Sequence, residues 1–590
     1  MSRPRLSAVI CAAALCWTLP AVAQSTDPPG RVGRVSAVNG AVSLLPMGAT
    51  DWNAASLNYP LTTGDALWAD SDARAEFHLG SSAVQVGPLT SLTFDAIDDF
   101  QTELRMGQGS VRIRVRSMSQ DESFEIDTPA GVILLRNAGS YRIDVTPDGR
   151  RSTVTVRDGG ADVIVGNDTH AVRAGFSATL TGSSDSPFAI GPSFPRDAWE
   201  VWADSRNQRE DAVVATRYVS RDMVGYEDLD EYGDWRTDVR YGPMWYPRSV
   251  PAGWAPYRSG YWAFISPWGW TWIDDAPWGF APSHYGRWAY AGGRWGWMPG
   301  AVRARPVYAP ALVAFVSGDG WDVSLRFGSG GGVGWVPLGP GEPFVPAYHT
   351  SPVYVRNVNV SYVNVTNINI TNIDVTKVRY ANRDVPGAVT AVPRAAFEGS
   401  RPVAPTAVVV RAGDLARART SAAPVAAGAV IAERHVPPPV DRGRTATAAP
   451  VRRPPSPMPA VPTARVRQVA PAGVPARAPT PAPTPLPTRG ASPPRRDSIR
   501  QAPPVAGGAA RGAPPADRAA QQLRDEQAKL DARHQKEAAD LALQHQQQRA
   551  GRGASPDDAQ RQAAEKKALA DKQQMQRDSL AKKYKKPGER

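Results

Sequence analysis

The chain has 590 residues, of which 56 are proline and 52 glycine, and its formal charge is +12. Most of the excess positive charge falls within residues 400–515, which are rich in Arg, Pro and Ala and contain no Lys. The rest of the chain is close to neutral. The composition therefore argues against a nucleic-acid-binding protein, and against a hydrophobic core that extends over the whole length.

The N-terminus has the three parts of a secretory signal. Arg3 and Arg5 precede an apolar stretch over residues 6–19, and a run of small residues ends at Ala23. We predict a signal peptide over residues 1–23 and hence a periplasmic or secreted protein. The apolar stretch is too short to span a bilayer, and no later stretch is long and apolar enough, so the mature form is expected to have no integral membrane segment.

Residues 31–182 have the pattern of an all-β domain. Val111, Ile113 and Val115 alternate with arginines, which is typical of a strand with one buried face. Asp148-Gly149 lies between two further alternating runs and predicts a hairpin turn.

Four runs within this region resemble the FecR domain: residues 33–40, 127–132, 139–145 and 154–159. The best-known members of that family span the membrane, receive a signal from an outer-membrane receptor and control a sigma factor. Neither a membrane helix nor a cytoplasmic anti-sigma segment is predicted here. The resemblance therefore implies an extracytoplasmic β fold but not the regulatory activity.

Residues 196–216 predict a connecting helix with Trp199 and Trp202 on one face. We expect this face to pack against the module that follows.

Residues 218–350 form a module rich in Trp, Gly and Pro, with an internal repeat of roughly 26 residues. Gly233-Asp234-Trp235, Gly260-Tyr261-Trp262 and Gly286-Arg287-Trp288 occupy equivalent places in the repeat. Each unit predicts a β-hairpin with a Trp-x-Trp strand. The module resembles a Trp-rich domain of uncharacterised function that is often fused behind a FecR domain, and this resemblance implies no activity.

The remaining segments are defined by composition. An Asn/Val-rich strand segment is predicted at 351–398, and a disordered Pro/Ala/Arg-rich linker at 400–515. Residues 516–590 predict a charged helical tail or weak coiled coil. Its basic end would add a salt-sensitive contact to an anionic polymer such as lipopolysaccharide or nucleic acid.

The sequence offers no motif for catalysis. Cys11 and Cys16 both lie in the predicted signal, and no nucleophile elbow, zinc-binding helix or phosphate loop is present. Asp274-Asp275 near His284 is read as a turn. The acidic run 227–234 fails a calcium loop at two positions and is read as a solvated loop. We therefore expect no catalytic site, no metal site and no cofactor.

The tryptophans are the candidate binding residues. Most are expected to build the core, because a small Gly-rich β module lacks aliphatic bulk. Any exposed rings would stack on sugar rings, and Trp262 and Trp288 would then present two similar platforms. The candidates are Trp262, Trp270, Trp272, Trp288, Trp295 and Trp297.

The sequence thus predicts a mainly β protein with a FecR-like domain, a Trp-rich hairpin module, a disordered linker and C-terminal helices. The favoured function is that of an exported, non-enzymatic binding or scaffold protein of the cell envelope. The favoured partners are an envelope polysaccharide or peptidoglycan, or an envelope protein. Two alternatives remain open: an extracytoplasmic enzyme acting on a glycan, and a soluble FecR-like partner in envelope signalling.

Overall fold

The computed structural model divides the chain into two units, residues 1–470 and residues 471–590. All described residues belong to the first unit; they are 27–181, 188–317, 331–359, 374–408, 410, 412–415 and 418–424. The predicted signal peptide, the helical tail and the linker from residue 425 onward lie outside the described residues.

An N-terminal β domain (residues 33–192) contains seventeen of the described strands. They are β1 Gly33–Asn39, β2 Val42–Leu45, β3 Asn53–Ala54, β4 Pro60–Leu61, β5 Ala66–Ala69, β6 Arg74–Leu79, β7 Ser82–Val86, β8 Thr90–Ile97, β9 Gln101–Val115, β10 Ser123–Thr128, β11 Gly131–Leu135, β12 Gly139–Val145, β13 Ser152–Asp158, β14 Gly160–Val165, β15 Asp168–Arg173, β16 Phe176–Leu180 and β17 Phe188–Pro192.

Strand β9 belongs to two sheets. Its first half pairs with β8 and with β10, the latter in parallel register, and its second half pairs with β7 and β12. The apolar faces of the two sheets meet in a common core, where the rings of Phe77 and Phe94 lie edge to face with centroids 5.7 Å apart. The predicted all-β domain is confirmed, and so is the hairpin at Asp148-Gly149, which joins β12 to β13.

Helix α1 (Ala198–Asp211) begins at Asp197, whose side chain accepts a hydrogen bond from the backbone N–H of Glu200 at 2.8 Å. The helix packs on the β domain. The Trp199 ring lies 5.2 Å from the guanidinium carbon of Arg142, in the β domain. The expectation that its Trp face packs against the following module is therefore wrong.

Ion pairs explain this placement of α1. The fully buried Glu200 carboxylate accepts hydrogen bonds from both Nε and Nη2 of Arg157 at 2.7 Å. Arg112, on β9, donates to Asp204 at 2.7 Å. The arginines that alternate with valine and isoleucine on the sheet would otherwise be buried without a partner, so the charged face of the helix lies on the sheet.

The Trp-rich domain (residues 226–424) follows. Its strands are β18 Gly233–Asp238, β19 Gly242–Pro247, β20 Gly260–Ile265, β21 Gly269–Asp274, β22 Arg287–Ala291, β23 Arg294–Met298, β24 Val313–Ser317, β25 Gly332–Pro337, β26 Thr390–Pro393 and β27 Arg419–Ser421. Its helices are α2 Leu229–Tyr232, α3 Phe280–His284, α4 Pro352–Asn359, α5 Arg394–Glu398, α6 Val403–Thr406 and α7 Ala412–Leu415. Shorter 3₁₀ turns occupy Ala215–Arg217, Tyr226–Asp228, Val375–Lys377 and Ala381–Asp384.

The three predicted hairpins are present, and a tryptophan pair lies across each of them. Trp235 pairs with Trp245 in β18–β19. The corresponding pairs are Trp262 with Trp272 in β20–β21, and Trp288 with Trp297 in β22–β23. The Gly-Xaa-Trp repeat therefore sets the register of each hairpin as well as its strand pattern.

Two boundaries differ from the sequence prediction. Residues 352–359, expected as a strand, form α4, in which buried Asn359 bonds the backbone of Phe344 in both directions; residues 360–373 lie outside the described residues. The predicted linker also begins too early. Val403 is buried, and β27 pairs with β24 at the edge of the last sheet, so the described residues between 401 and 424 belong to the folded domain. Within the part of the chain that is described, no helix has the length and apolar character needed to cross a membrane.

A buried ion-pair network joins the two domains. Arg34, on β1, is fully buried and contacts Glu227 and Asp228 of the Trp-rich domain, the latter at 2.7 Å. Its other hydrogen bonds reach Asn58 at 2.9 Å and the Pro277 carbonyl at 2.6 Å. The interpretation of residues 227–234 as a solvated acidic loop is thus wrong at Glu227 and Asp228, because their carboxylates neutralise an arginine that has no access to water.

His78 extends this network. Its Nδ1 contacts Glu227, and its Nε2 lies 3.1 Å from a carboxylate oxygen of Glu210 on α1. Burial disfavours the imidazolium, but the two carboxylates outweigh burial and raise the pKa of His78 to about 10. Burial would raise the pKa of Glu76, yet hydrogen bonds from Arg206 and the charge of His78 lower it to about 2.

Replacing Glu227 with glutamine should weaken the attachment of the two domains. Glu227→Gln leaves Arg34 and His78 buried beside a neutral amide, and the loss of one partner from a buried ion pair costs about 3–5 kcal/mol of unfolding free energy. Urea denaturation followed by circular dichroism measures this loss. Asp121→Asn is the matched control, since Asp121 and Arg305 join the same two domains at 2.6 Å but lie exposed to solvent. Equal effects of the two substitutions would contradict a dominant role for the buried network.

Stability should also depend on pH through this network. The folded-state pKa of His78 is raised from 6.5 to about 10, so its contribution is complete below pH 6.5 and is lost as the pH rises towards 10. The pKa of Glu76 is lowered from 4.5 to about 2, so its contribution is lost as the pH falls from 4.5 towards 2. The urea midpoint should fall between pH 6.5 and 9.5, and this fall should be smaller in His78→Gln. An unchanged alkaline slope in that variant would rule out His78 as the cause.

Candidate functional site

The structure places five of the six candidate tryptophans in the core. Trp262, Trp272, Trp288, Trp295 and Trp297 are buried. Only Trp270 is half-buried. The expectation that most tryptophans build the core is confirmed, whereas the two platforms expected at Trp262 and Trp288 are absent, because neither ring reaches solvent.

Hydrogen bonds fix several of the buried indoles. Trp288 Nε1 donates to the Pro282 carbonyl at 2.9 Å, and Trp297 Nε1 donates to the Tyr285 carbonyl at 2.8 Å. Trp272 Nε1 donates to buried Asp274 at 2.9 Å. Each of these three rings thus satisfies its N–H inside the protein, as buried tryptophans usually do.

Trp262 lies at the centre of an aromatic core. Its ring centroid is 5.6 Å from that of Trp272 and 5.3 Å from that of Trp335, both in edge-to-face geometry. Phe315 and Phe397 surround it at 5.3 and 5.4 Å. Aromatic side chains therefore supply the bulk that the glycine-rich hairpins lack.

A half-open cleft lies beside Trp270, with a volume of about 360 Å³. Its aromatic lining is contributed by Phe264, Trp268, Trp270, Phe315, Phe344 and Tyr348. Among its described lining residues, Glu398 carries the only charge. Such a cleft has the size and the apolar character of a small-ligand site.

The β20–β21 hairpin positions one wall of the cleft. Phe264 and Trp270 are cross-strand partners, and their rings meet edge to face at 5.7 Å. Gly269 begins β21 with a φ of +87°, and a side chain there would lie 3.4 Å from the Phe264 ring. The positive φ therefore favours glycine at this turn, whereas the space beside Phe264 would admit a Cβ in ordinary contact.

Tyr348 forms part of the opposite wall. Its hydroxyl lies 3.2 Å from that of Tyr354, which donates to the Tyr308 carbonyl at 3.2 Å. Burial holds the pKa of Tyr348 well above its ordinary value. Its phenol therefore stays neutral and serves as a hydrogen-bonding group rather than an acid.

The acid–base candidates weighed in the sequence have structural roles. Asp274 accepts hydrogen bonds from Trp272 and from the backbone of Ala276, and burial raises its pKa to about 7. His284 Nδ1 lies 2.8 Å from the Ala309 carbonyl oxygen, and burial lowers its pKa to about 3. Neither residue lines the cleft. A carboxylate group able to hold a metal ion does occur in the β domain, at Asp95, Glu103 and Asp127.

The sequence identified only one side chain of this cleft. Trp270 was singled out, whereas Phe264 could have been found from its alternation with Trp262 on the same strand. Phe344 and Glu398 carry no local signal, since they reach the cleft only through the fold.

Substituting Trp262 and Trp270 should distinguish a core residue from a cleft residue by the loss of unfolding free energy. Trp262→Ala removes a fully enclosed ring and should lower the free energy of unfolding by about 3–5 kcal/mol. Trp270→Ala should cost clearly less, because its ring is half-buried and borders the cleft. Urea denaturation monitored by circular dichroism gives both values. A larger loss for Trp270→Ala would show that this ring is a core residue.

Comparison with known proteins covers both domains. The sequence pattern of the FecR protein family matches residues 65–162. The pattern of a family of unknown function, DUF6600, matches residues 226–342. A search of curated proteins found no match.

Two crystal structures of a candidate anti-sigma factor from Parabacteroides distasonis ATCC 8503 are similar to part of the chain, each at 12% sequence identity and a TM-score of 0.21. The matches cover 24% of this chain and 64% of the first structure, and 31% of this chain and 99% of the second. The first therefore matches over less than two thirds of its own length, and the scores are too low to bear on function. The family matches confirm both resemblances found in the sequence: the chain carries a FecR domain at residues 65–162 and a DUF6600 domain of unknown function at residues 226–342.

Proposed function

We propose that this is an exported, non-enzymatic binding protein of the cell envelope, whose Trp-rich domain holds a sugar ring of an envelope glycan in the cleft beside Trp270. The observation that carries the proposal is the cleft itself, which is half-open, about 360 Å³ in volume and lined by six aromatic side chains. Export rests on the predicted signal peptide.

The lining suits a flat ligand with one apolar face. The C–H face of a pyranose ring stacks on an indole, and Trp270 offers such a ring on the wall of the cleft. Glu398 provides a carboxylate that accepts hydrogen bonds from sugar hydroxyls. The small volume favours recognition of a single unit or an end of the polymer over a long stretch of chain.

A binding role is favoured over hydrolysis by the charges of the cleft. Glycosidases use two carboxyl groups on either side of the scissile bond, about 5–10 Å apart. Among the described lining residues, Glu398 supplies one carboxyl group and no second acid faces it. This arrangement supports ligand binding without bond cleavage.

A role in envelope signalling is the second candidate, and it rests on the FecR match over residues 65–162. The buried network of Arg34 joins the N-terminal β domain, which contains the FecR match, to the Trp-rich domain. A ligand in the cleft and a protein partner on the FecR domain would therefore be held on one rigid body. Under this proposal the chain acts as an adaptor between glycan and partner.

Substituting Trp270 should reduce binding to cell-wall material. The mature full-length chain should sediment with purified peptidoglycan, and Trp270→Ala should weaken this about tenfold, because one stacked aromatic ring contributes about 1.4 kcal/mol. Glu398→Gln should cause a smaller loss. Tyr290→Ala is the matched control, since Tyr290 is an exposed aromatic of the neighbouring β22–β23 hairpin that does not line the cleft.

Two results would contradict the glycan proposal. One is a wild-type protein that stays in the supernatant with every cell-wall fraction. The other is equal binding by folded Trp270→Ala and Tyr290→Ala, which would place any binding outside the cleft. The signalling candidate would then be the better account of the chain.

A further inference from the structure

Four carboxylates gather on one face of the FecR domain. Glu103 on β9 and Glu125 on β10 are direct partners in the parallel register, and Asp127 is the partner of Arg105 two residues further along. Asp95 joins them from a β-bulge in β8. Carboxylate oxygens of Asp95, Glu103 and Asp127 all lie within 4.8 Å of one another.

The fold forces this crowding. Leu104 and Ile126 alternate with the acidic residues and are fully buried in the core, so the strands cannot shift register without exposing them. Like charges directly opposite each other on neighbouring strands are destabilising. The acidic face is therefore maintained against its own repulsion.

The local positive charge does not balance these acids. Arg105 is the cation of the group, and its guanidinium is committed to Asp95, with Nε donating to Oδ2 at 2.6 Å. Arg105 also attracts Asp127 and Glu103 electrostatically, but a single guanidinium faces four carboxylates. The negative charge of the carboxylates therefore exceeds the positive charge of Arg105, and a cation from the solvent would reduce this excess.

Asp127 provides a second and independent indication. Its side chain is only 7% exposed, and its Oδ1 is buried with no hydrogen bond from a neutral or basic group among the described residues, while its carboxyl group meets that of Glu125. A carboxylate oxygen taken out of water without a partner is strongly destabilising, so such atoms are paired or coordinate a metal.

We propose that Asp95, Glu103 and Asp127 form a binding site for a divalent cation, Ca²⁺. Ca²⁺ binds oxygen at 2.3–2.6 Å, which places oxygens on opposite sides of the ion roughly 4.6–5.2 Å apart. The carboxylate oxygens of the three residues lie within 4.8 Å of one another, close enough for one such ion to reach all of them. Several protein carboxylates around one ion suit Ca²⁺ better than Mg²⁺, which usually keeps several water ligands.

A cation at this place would tie β8, β9 and β10 together. It would relieve the repulsion between the acids and supply the missing partner of Asp127 Oδ1. The site uses no residue of the cleft, so it stands or falls independently of the glycan proposal.

The test is a Ca²⁺ titration of the mature full-length chain after removal of metal with EDTA. Isothermal calorimetry should show binding of one Ca²⁺, and an excess of about 100-fold over Kd should raise Tm by roughly 5 °C or more. Asp127→Asn should abolish the Ca²⁺ response and should also raise Tm in the metal-free state, because it removes repulsion. Asp148→Asn, in the exposed β12–β13 turn, is the matched control and should retain the full response.

Each other outcome would overturn the proposal. If Ca²⁺ gives neither heat nor a Tm shift while Asp127→Asn still raises Tm, the carboxyl groups share protons and hold no cation. If Ca²⁺ stabilises Asp127→Asn and the wild type equally, the ion binds elsewhere. If Mg²⁺ binds as strongly as Ca²⁺ and raises Tm equally, the proposed preference for Ca²⁺ is wrong. Trp270→Ala should respond to Ca²⁺ as the wild type does, because Trp270 is not part of the cation site. The result of this test is therefore independent of the glycan-binding test.

Discussion

Arg34 is a fully buried arginine on the first strand of the FecR-containing β domain, and the Glu227 carboxylate that neutralises it comes 193 residues later in the chain. Neither domain could bury its own half of this network alone, because an isolated charge in a core is strongly unfavourable. His78 and helix α1 join the same network from other directions. These charges neutralise one another only when the two domains are in contact, so the network stabilises the interface between them.

The core of the Trp-rich domain is built mainly from aromatic rings, because the domain has few aliphatic residues. Its strands are short and rich in glycine, so the repeat inserts a large indole at each hairpin and pairs it with a second one across the ladder. Buried rings then contact one another edge to face, as Trp262 and Trp335 do. Where these packed rings reach the surface, Trp235, Trp254 and Trp270 are only partly buried, and the cleft lies beside the last of them.

Features that depend on neighbouring residues could be predicted from the sequence, whereas contacts between residues far apart in the chain could not. Period-two alternation and Asp148-Gly149 gave the β hairpins, and the repeat gave the positions of the paired tryptophans, because strand register depends on nearby residues. The burial of Glu227 could not be predicted, because a run of acidic residues indicates a solvated loop unless a distant partner such as Arg34 is known. The same holds for β27, a three-residue strand in a proline-rich stretch that is defined only by pairing with β24. Glu398 in the cleft had no signal at all.

The sharing of β9 between both sheets has a consequence for how the β domain comes apart. A strand whose two halves pair with four different neighbours cannot leave one sheet without loosening the other. Local opening of either sheet alone is thereby suppressed, and the domain behaves as one cooperative unit in which the amides of β9 exchange with solvent only when the whole unit opens. A domain that opens only as a whole offers proteases few unfolded segments, so its resistance to cleavage follows its global stability.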